Sequence, residues 1–195
     1  MCFRLIAITI VLAVIPLFIM RGTLLLNIQD KLWNERVDNI ERHSSYLASQ
    51  IVKLNYFDDE NVNIINNLIS QLDSIYDGRV IVVDENFSVR KDSYSRINDK
   101  KVITPEVIAC MSGMGAEPTY DKVYDMIETV VPVTDGGGAI KGAIIIDAST
   151  LDLTATYQSI KIMSVFVAIG FSVILIILSS LIGRAFTKPF KNVAR

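Results

Sequence analysis

The sequence predicts an α+β domain, an antiparallel sheet with a long N-terminal helix, flanked by two transmembrane helices. Three observations lead there. Two long apolar runs lie near the ends of the chain, at Leu5 to Met20 and Ile162 to Ile182. All 21 acidic residues fall between Asp30 and Asp152, so residues 27–160 carry a formal charge of −9. Within that acidic stretch, the spacing of apolar residues changes from helical to strand-like after Gly78.

These observations also exclude classes. The 195 residues are 51% hydrophobic with a net charge of −2, too apolar for a disordered chain. Two cysteines are too few for a disulfide scaffold. A mean hydropathy of +0.40 requires the apolar excess to be concentrated, and the two runs hold it. What remains between them is one small domain.

The elements follow in order. Residues 1–4 are expected to form a cytoplasmic N-terminus bearing Arg4. Residues 5–26 are the first expected span. Leu5 to Met20 covers roughly 24 Å as a helix, and Gly22 to Leu26 extends it if Arg21 reaches the outer headgroups. A cleaved signal peptide is the competing reading. No small-x-small site follows the run, so an uncleaved anchor is favoured. Residues 161–183 are the second expected span, with no charge between Ile162 and Ile182. Arg184, Lys188, Lys191 and Arg195 follow it without an acid, the flank expected on the cytoplasmic side. Both termini are then cytoplasmic and residues 27–160 extracytoplasmic, in a cell-membrane protein in contact with lipid.

Within residues 27–160, Asn27 to Asn55 reads as a helix continuing the first span. Trp33, Val37, Ile40, Ser44, Leu47, Ile51 and Leu54 form one stripe along it. The stripe can pack on the domain's own sheet or form the seam of a homodimer. A division is expected, with Leu47 to Leu54 in the core and Trp33 to Ile40 at the dimer axis. Asp58, Asp59 and Glu60 supply cap and first-turn acids for a second helix running to about Asp77-Gly78. Arg79 to Val83 is a β-branched strand, Asp84-Glu85-Asn86 a turn, and Phe87 to Arg90 a returning strand. Asp92 to Lys101 is polar loop. Thr104-Pro105 opens a short helix ending near Met111. Tyr120 to Tyr124 is a further strand candidate. Met126 to Val133 and Ala139 to Asp147 form a hairpin around Gly136-Gly137-Gly138. Ile144, Ile145 and Ile146 are apolar on both faces, as in a central strand. A helix from about Thr150 leads into the second span.

Arg79-Val-Ile-Val-Val-Asp-Glu-Asn-Phe-Ser-Val-Arg-Lys-Asp-Ser93 resembles the first hairpin of PAS-like or Cache sensor domains. Those domains commonly place glycine in the turn where this chain has Phe87. Glu128 to Val133 and Ile140 to Asp147 resemble the closing strands, and Phe186-Thr-Lys-Pro-Phe-Lys191 resembles the opening of a HAMP linker, expected over residues 184–195. The whole layout is similar to the sensor half of Gram-positive, clostridial-type membrane sensor histidine kinases. The resemblance implies a chain ending inside its HAMP linker, an ATP-dependent kinase beyond it, and a cognate response regulator. A chemoreceptor, a cyclic-dinucleotide enzyme and a non-signalling envelope anchor remain alternatives.

No catalytic constellation is legible, and no cofactor, metal or nucleic acid is expected. His43 is the single histidine and lies on the outward helix, away from any cytoplasmic phosphorylation site. Cys110 reads as a small buried hydrophobe more readily than as a redox thiol, and Cys2 stands at the cytoplasmic border. Gly136-Gly137-Gly138 lacks the lysine and helix of a phosphate loop. Tyr94, Arg96, Tyr120, Lys122 and Tyr124 would flank the pocket of a Cache-like sheet. A cation among aromatics there suits a small anionic or amino-acid-like ligand, or a peptide. The competing reading makes them ordinary loop and edge residues.

Overall fold

The computed structural model describes residues 2–58, 63–121 and 123–187, with side chains described from residue 14 to residue 181. Asp59 and Glu60 of the expected second-helix start, Lys122, and the linker from Lys188 to Arg195 lie outside the described residues. The chain divides into two compact units, Met1–Leu32 with Thr154–Arg195, and Trp33–Leu153.

Nine elements are described: α1 (Cys2–Lys53), α2 (Asn63–Tyr76), β1 (Arg79–Asp84), β2 (Val89–Asp92), α3 (Pro105–Met111), β3 (Thr119–Asp121), β4 (Met126–Thr134), β5 (Ile140–Ser149) and α4 (Leu151–Thr187). The five strands form one antiparallel sheet in the order β2-β1-β5-β4-β3. β5 is therefore central, as its run of three isoleucines predicts. Side chains alternate across it, and each face has its own cover. Val80, Val82, Ile127, Val133, Ile144, Ile146 and Ala148 pack with Ile40, Leu47 and Ile51 of α1 and Ile65, Ile69 and Leu72 of α2. Ile81, Val83, Val89, Val130, Ala143 and Ile145 pack with Val107 and Cys110 of α3. Each buried aliphatic side chain contributes about 1.5–3 kcal/mol, so both clusters matter to stability.

Much of the stripe on α1 faces the domain's own core. Ile40, Leu47 and Ile51 are fully buried in the first cluster, with Trp33, Val37 and Leu54 packed against it. Ile40, expected at the dimer axis, lies instead in the domain's own core, while Trp33 and Val37 pack against that core and stay partly exposed. An amphipathic pattern states that a face is covered, not what covers it.

The first hairpin is wider than its sequence suggests. The returning strand is Val89–Asp92 rather than Phe87 to Arg90. Asp84 Oδ1 accepts from the backbone N–H groups of Asn86 and Ser88, and Phe87 adopts a left-handed φ of 62°. Phe87 thus takes the conformation that glycine adopts freely, and its ring packs against the second cluster. The strand register shifts between Val82 and Val83 to absorb the extra length. Elsewhere the local signals hold. Thr104 caps α3 by accepting from the Val107 N–H, with Pro105 in the first turn. Asp135 Oδ1 closes the β4–β5 turn on the N–H groups of Gly137 and Ala139.

In the other unit, α4 holds an apolar stretch from Leu151 to Leu181 with a mean hydropathy of 2.7 over its best window. It is the one helix among the described residues long and apolar enough to cross a membrane. Arg21 Nε donates to Ser164 Oγ at 3.0 Å, so Arg21 meets α4 rather than extending freely.

Candidate functional site

On the α3 side of the sheet, one end carries a row of charged groups. Strand register sets them side by side: Arg79 of β1 lies opposite Asp147 of β5, and Asp147 lies opposite Glu128 of β4. Asp92, at the end of β2, is 0% exposed. It accepts from Arg79 Nε at 2.8 Å and Nη2 at 2.7 Å, a bidentate pair. Its oxygens also accept from the backbone N–H groups of Tyr94, Arg96 and Ile97. Burial alone would raise the Asp92 carboxyl. The guanidinium and these N–H donors outweigh it and hold Asp92 far below the usual carboxylate range. Asp92 thereby shapes the loop after β2.

Because Arg79 is committed to Asp92, the neighbouring acids are poorly compensated. Burial raises the Asp147 carboxyl, and Arg79 only partly offsets this. Glu128 is pushed up to about 7 by burial, then by the charges of Asp147 and Glu106. Two like-charged side chains directly opposite on adjacent strands repel each other. This arrangement can hold a proton near neutrality.

The five residues singled out by sequence occupy different places. Tyr94 and Arg96 come together in the loop after Asp92, with the Arg96 guanidinium carbon 5.3 Å from the Tyr94 ring centroid. Both are exposed. Tyr120 lies on the opposite face of the sheet. Its ring stands edge-on to Trp33 at 5.3 Å, and its hydroxyl donates to Asp125 Oδ1 at 2.6 Å. Tyr124 is 72% exposed in the β3–β4 turn. Lys122 lies outside the described residues. Tyr94 and Arg96 therefore form one pair, while Tyr120 and Tyr124 belong to the neighbourhood of another turn.

Sequence reading passed over Arg79, Asp92, Glu128 and Asp147 as a group. The available signal was a single acid inside each of two apolar strands, Glu128 and Asp147. Their juxtaposition depends on register, which spacing along one strand does not specify. At the opposite end of the sheet lies a cavity of about 440 Å³, lined by Ile51, Phe57, Asp84, Arg90, Asp135 and Lys141 among others. There Arg90 Nε meets Asp84 Oδ2 at 3.0 Å. Cys110 is buried in the second cluster and burial pushes its thiol up to about 11, which leaves it a packing residue. His43 Nδ1 lies 2.7 Å from the Tyr76 hydroxyl. Among the described residues no group of three or more His, Cys, Asp or Glu side chains is arranged to hold a metal ion.

No protein-family model matches the sequence, and no curated protein is detectably similar to it. Solved structures do match. An extracellular ligand binding receptor from Desulfohalobium retbaense aligns at 16% identity with a TM-score of 0.52, covering 67% of this chain and 25% of that one. The sensory domain of the Campylobacter jejuni chemoreceptor Tlp3, with isoleucine bound, aligns at 14% identity and a TM-score of 0.58, covering 77% and 66%. The sensor domain of the Vibrio cholerae histidine kinase DctB aligns at 12% identity and 0.46, covering 71% and 61%. The chain thus spans a quarter of the first structure and under two thirds, or close to it, of the others. At these identities the likeness is one of fold: the chain shares the α+β architecture of extracellular sensory domains.

Proposed function

We propose that this chain is the sensory and transmembrane half of a two-component sensor histidine kinase. Its acidic domain lies outside the membrane, and a HAMP linker leads to a kinase beyond Arg195. One observation carries the reading. The central strand of a sensor-type sheet passes through a single residue, Thr150, into a helix whose apolar stretch is almost uncovered by protein. A water-exposed helix of that composition would be unstable, whereas a bilayer satisfies it. The apolar N-terminal run, with its basic flank at Arg4, supplies the other span in this reading. The domain boundaries follow as 5–26 and 161–183 for the spans and 27–160 for the sensor, in a homodimer.

A chemoreceptor front end is the second reading, favoured by the likeness to the Tlp3 sensory domain. The coding sequence beyond Arg195 separates the two: a histidine-bearing dimerisation helix with an ATP-binding domain supports the first. Within the domain, Tyr94 and Arg96 are the members of the predicted set we propose as contacts for a small anionic or amino-acid-like ligand. A guanidinium lying over an aromatic face offers a fork for a carboxylate.

Topology is tested by reporter fusion in whole cells. An enzyme active only outside the cytoplasm is expected to work when fused near Gly137 and to fail when fused at Arg195. Activity at both sites, or the reverse pattern, refutes the two-span arrangement.

A further inference from the structure

The join between β5 and α4 is gripped from two sides. On one flank, Arg36 of α1 donates from Nη2 to the carbonyl of Ser149, the last residue of β5, at 2.9 Å. The same nitrogen lies 3.5 Å from Asp152 Oδ1 in the first turn of α4. The Arg36 side chain is 14% exposed, and its guanidinium carbon sits 4.9 Å above the Tyr76 ring of α2. On the other flank, Thr150 gives both its N–H and its hydroxyl to the Asp125 carbonyl, at 2.8 Å and 2.7 Å. Asp125 is held in the β3–β4 turn at a left-handed φ of 50°, and its carboxylate accepts from Tyr120. Tyr120 in turn meets Trp33, one helical turn from Arg36 on α1. The contacts close a ring around the strand's exit: Arg36, Ser149, Thr150, Asp125, Tyr120, Trp33.

Two features distinguish this ring from ordinary packing. Arg36 Nε is buried without a hydrogen-bond partner, so the guanidinium is held at less than its full bonding capacity. The turn that carries Asp125 also carries Val123 and Tyr124, which are 82% and 72% exposed. A contact held below capacity opens at lower cost than a fully bonded one, and an exposed turn is accessible from outside.

We propose that Arg36 and Asp125 form a two-sided latch that sets the direction in which β5 delivers α4, with the exposed β3–β4 turn as its handle. Arg36 is a positioning residue here. It acts through the Ser149 carbonyl and the first turn of α4. Displacing the turn withdraws Asp125 from Thr150 and leaves the junction held by Arg36 alone. The direction of α4 then changes while the ladders of the sheet stay formed. The use of such a latch rests on the sensor reading above. Its existence does not, because the measurement below needs no stimulus.

The test is amide hydrogen exchange on the full chain in lipid nanodiscs. Arg36→Met keeps an apolar stem and removes the grip on Ser149 and Asp152. Tyr120→Phe removes the phenol hydroxyl, with its bond to Asp125 and its contact with the Thr150 hydroxyl, and leaves the ring in place. Exchange over residues 149–153 is expected to rise about tenfold or more in Arg36→Met and several-fold in Tyr120→Phe. Residues 80–83 and 144–146 are expected to stay within about twofold of the parent chain. Arg36→Lys retains a donor for the carbonyl and should restore most of the protection. Unchanged exchange at the junction in both variants overturns the proposal. So does a parallel rise throughout the sheet, which would make Arg36 a general stabiliser. The conservative Tyr120→Phe keeps the test decisive if Arg36→Met fails to fold.

Discussion

Glu128 makes the stability of the domain depend on pH near neutrality. Its carboxyl titrates at about 7 in the folded chain against an ordinary value of 4.5. The folded state therefore holds this proton more tightly than the unfolded state. The associated stabilisation is fully present below about pH 4.5 and is lost as pH rises through about 7. The gap between the two values corresponds to about 3 kcal/mol at most. Between about pH 5.5 and about pH 8, roughly 2 kcal/mol of that is lost. Glu128 is only partly buried, so solvent screening reduces the loss to about 1 kcal/mol. For a domain of this size, that is a fall in melting temperature of about 4 °C. Asp147 titrates upward too and adds in the same direction. Asp92 and Asp135 are depressed and act only in acid, outside this window. Glu128→Gln removes the charge and keeps the shape. Thermal melts of the segment 27–160 should show the parent losing stability across the window. The Gln variant should lose much less and be the more stable of the two at the alkaline end. A parent with no loss across the window, or a Gln variant with the parent's full loss, refutes the reasoning.

Two further expectations concern the frame around this row. Asp92→Asn should cost about 3–5 kcal/mol in urea unfolding, because it leaves Arg79 without its buried counter-charge; a loss below about 1 kcal/mol would contradict the role given to Asp92. Gly142→Ala should cost about 2–3 kcal/mol or more, since its Cβ would run into the Val83 carbonyl and come within 2.8 Å of the Phe57 ring tip. Gly136→Ala, with nothing near, should stay within about 0.5 kcal/mol, and equal losses at the two glycines would mean the close approach of β1 to β5 is not what Gly142 serves.

The order of elements was legible because each announces itself over a few residues. Thr104-Pro105 marks a helix start, Asp135 with three glycines marks a turn, and three consecutive isoleucines mark a strand buried on both faces. The width of the first hairpin was not legible, because a phenylalanine at positive φ contradicts its own local preference and is held there by tertiary packing. The candidate site was legible only in fragments. Tyr94 and Arg96 are two residues apart and share a loop, so proximity in sequence brought them together. Glu128 and Asp147 are far apart in sequence and meet only once β4 and β5 are in register. Arg36 and Ser149 lie farther apart still, and their contact is set by the docking of α1 on the sheet. Relations between distant elements are decided by packing, and composition and periodicity do not encode them residue by residue.

The placement of β5 at the centre of the sheet has a mechanical consequence. The strand that continues into α4 is hydrogen-bonded along both edges, to β1 over six residue pairs and to β4 over nine. A pull or push along α4 loads those ladders in shear, and many bonds share the force at once instead of parting one by one. Sliding β5 by one residue would also turn Ile144 and Ile146 out of one cluster and Ile145 out of the other. The strand therefore resists axial travel, as a keel fixed along its length resists being drawn out. At Thr150, where the ladders end and the helix begins, axial load passes instead to the Asp125 carbonyl and to Arg36.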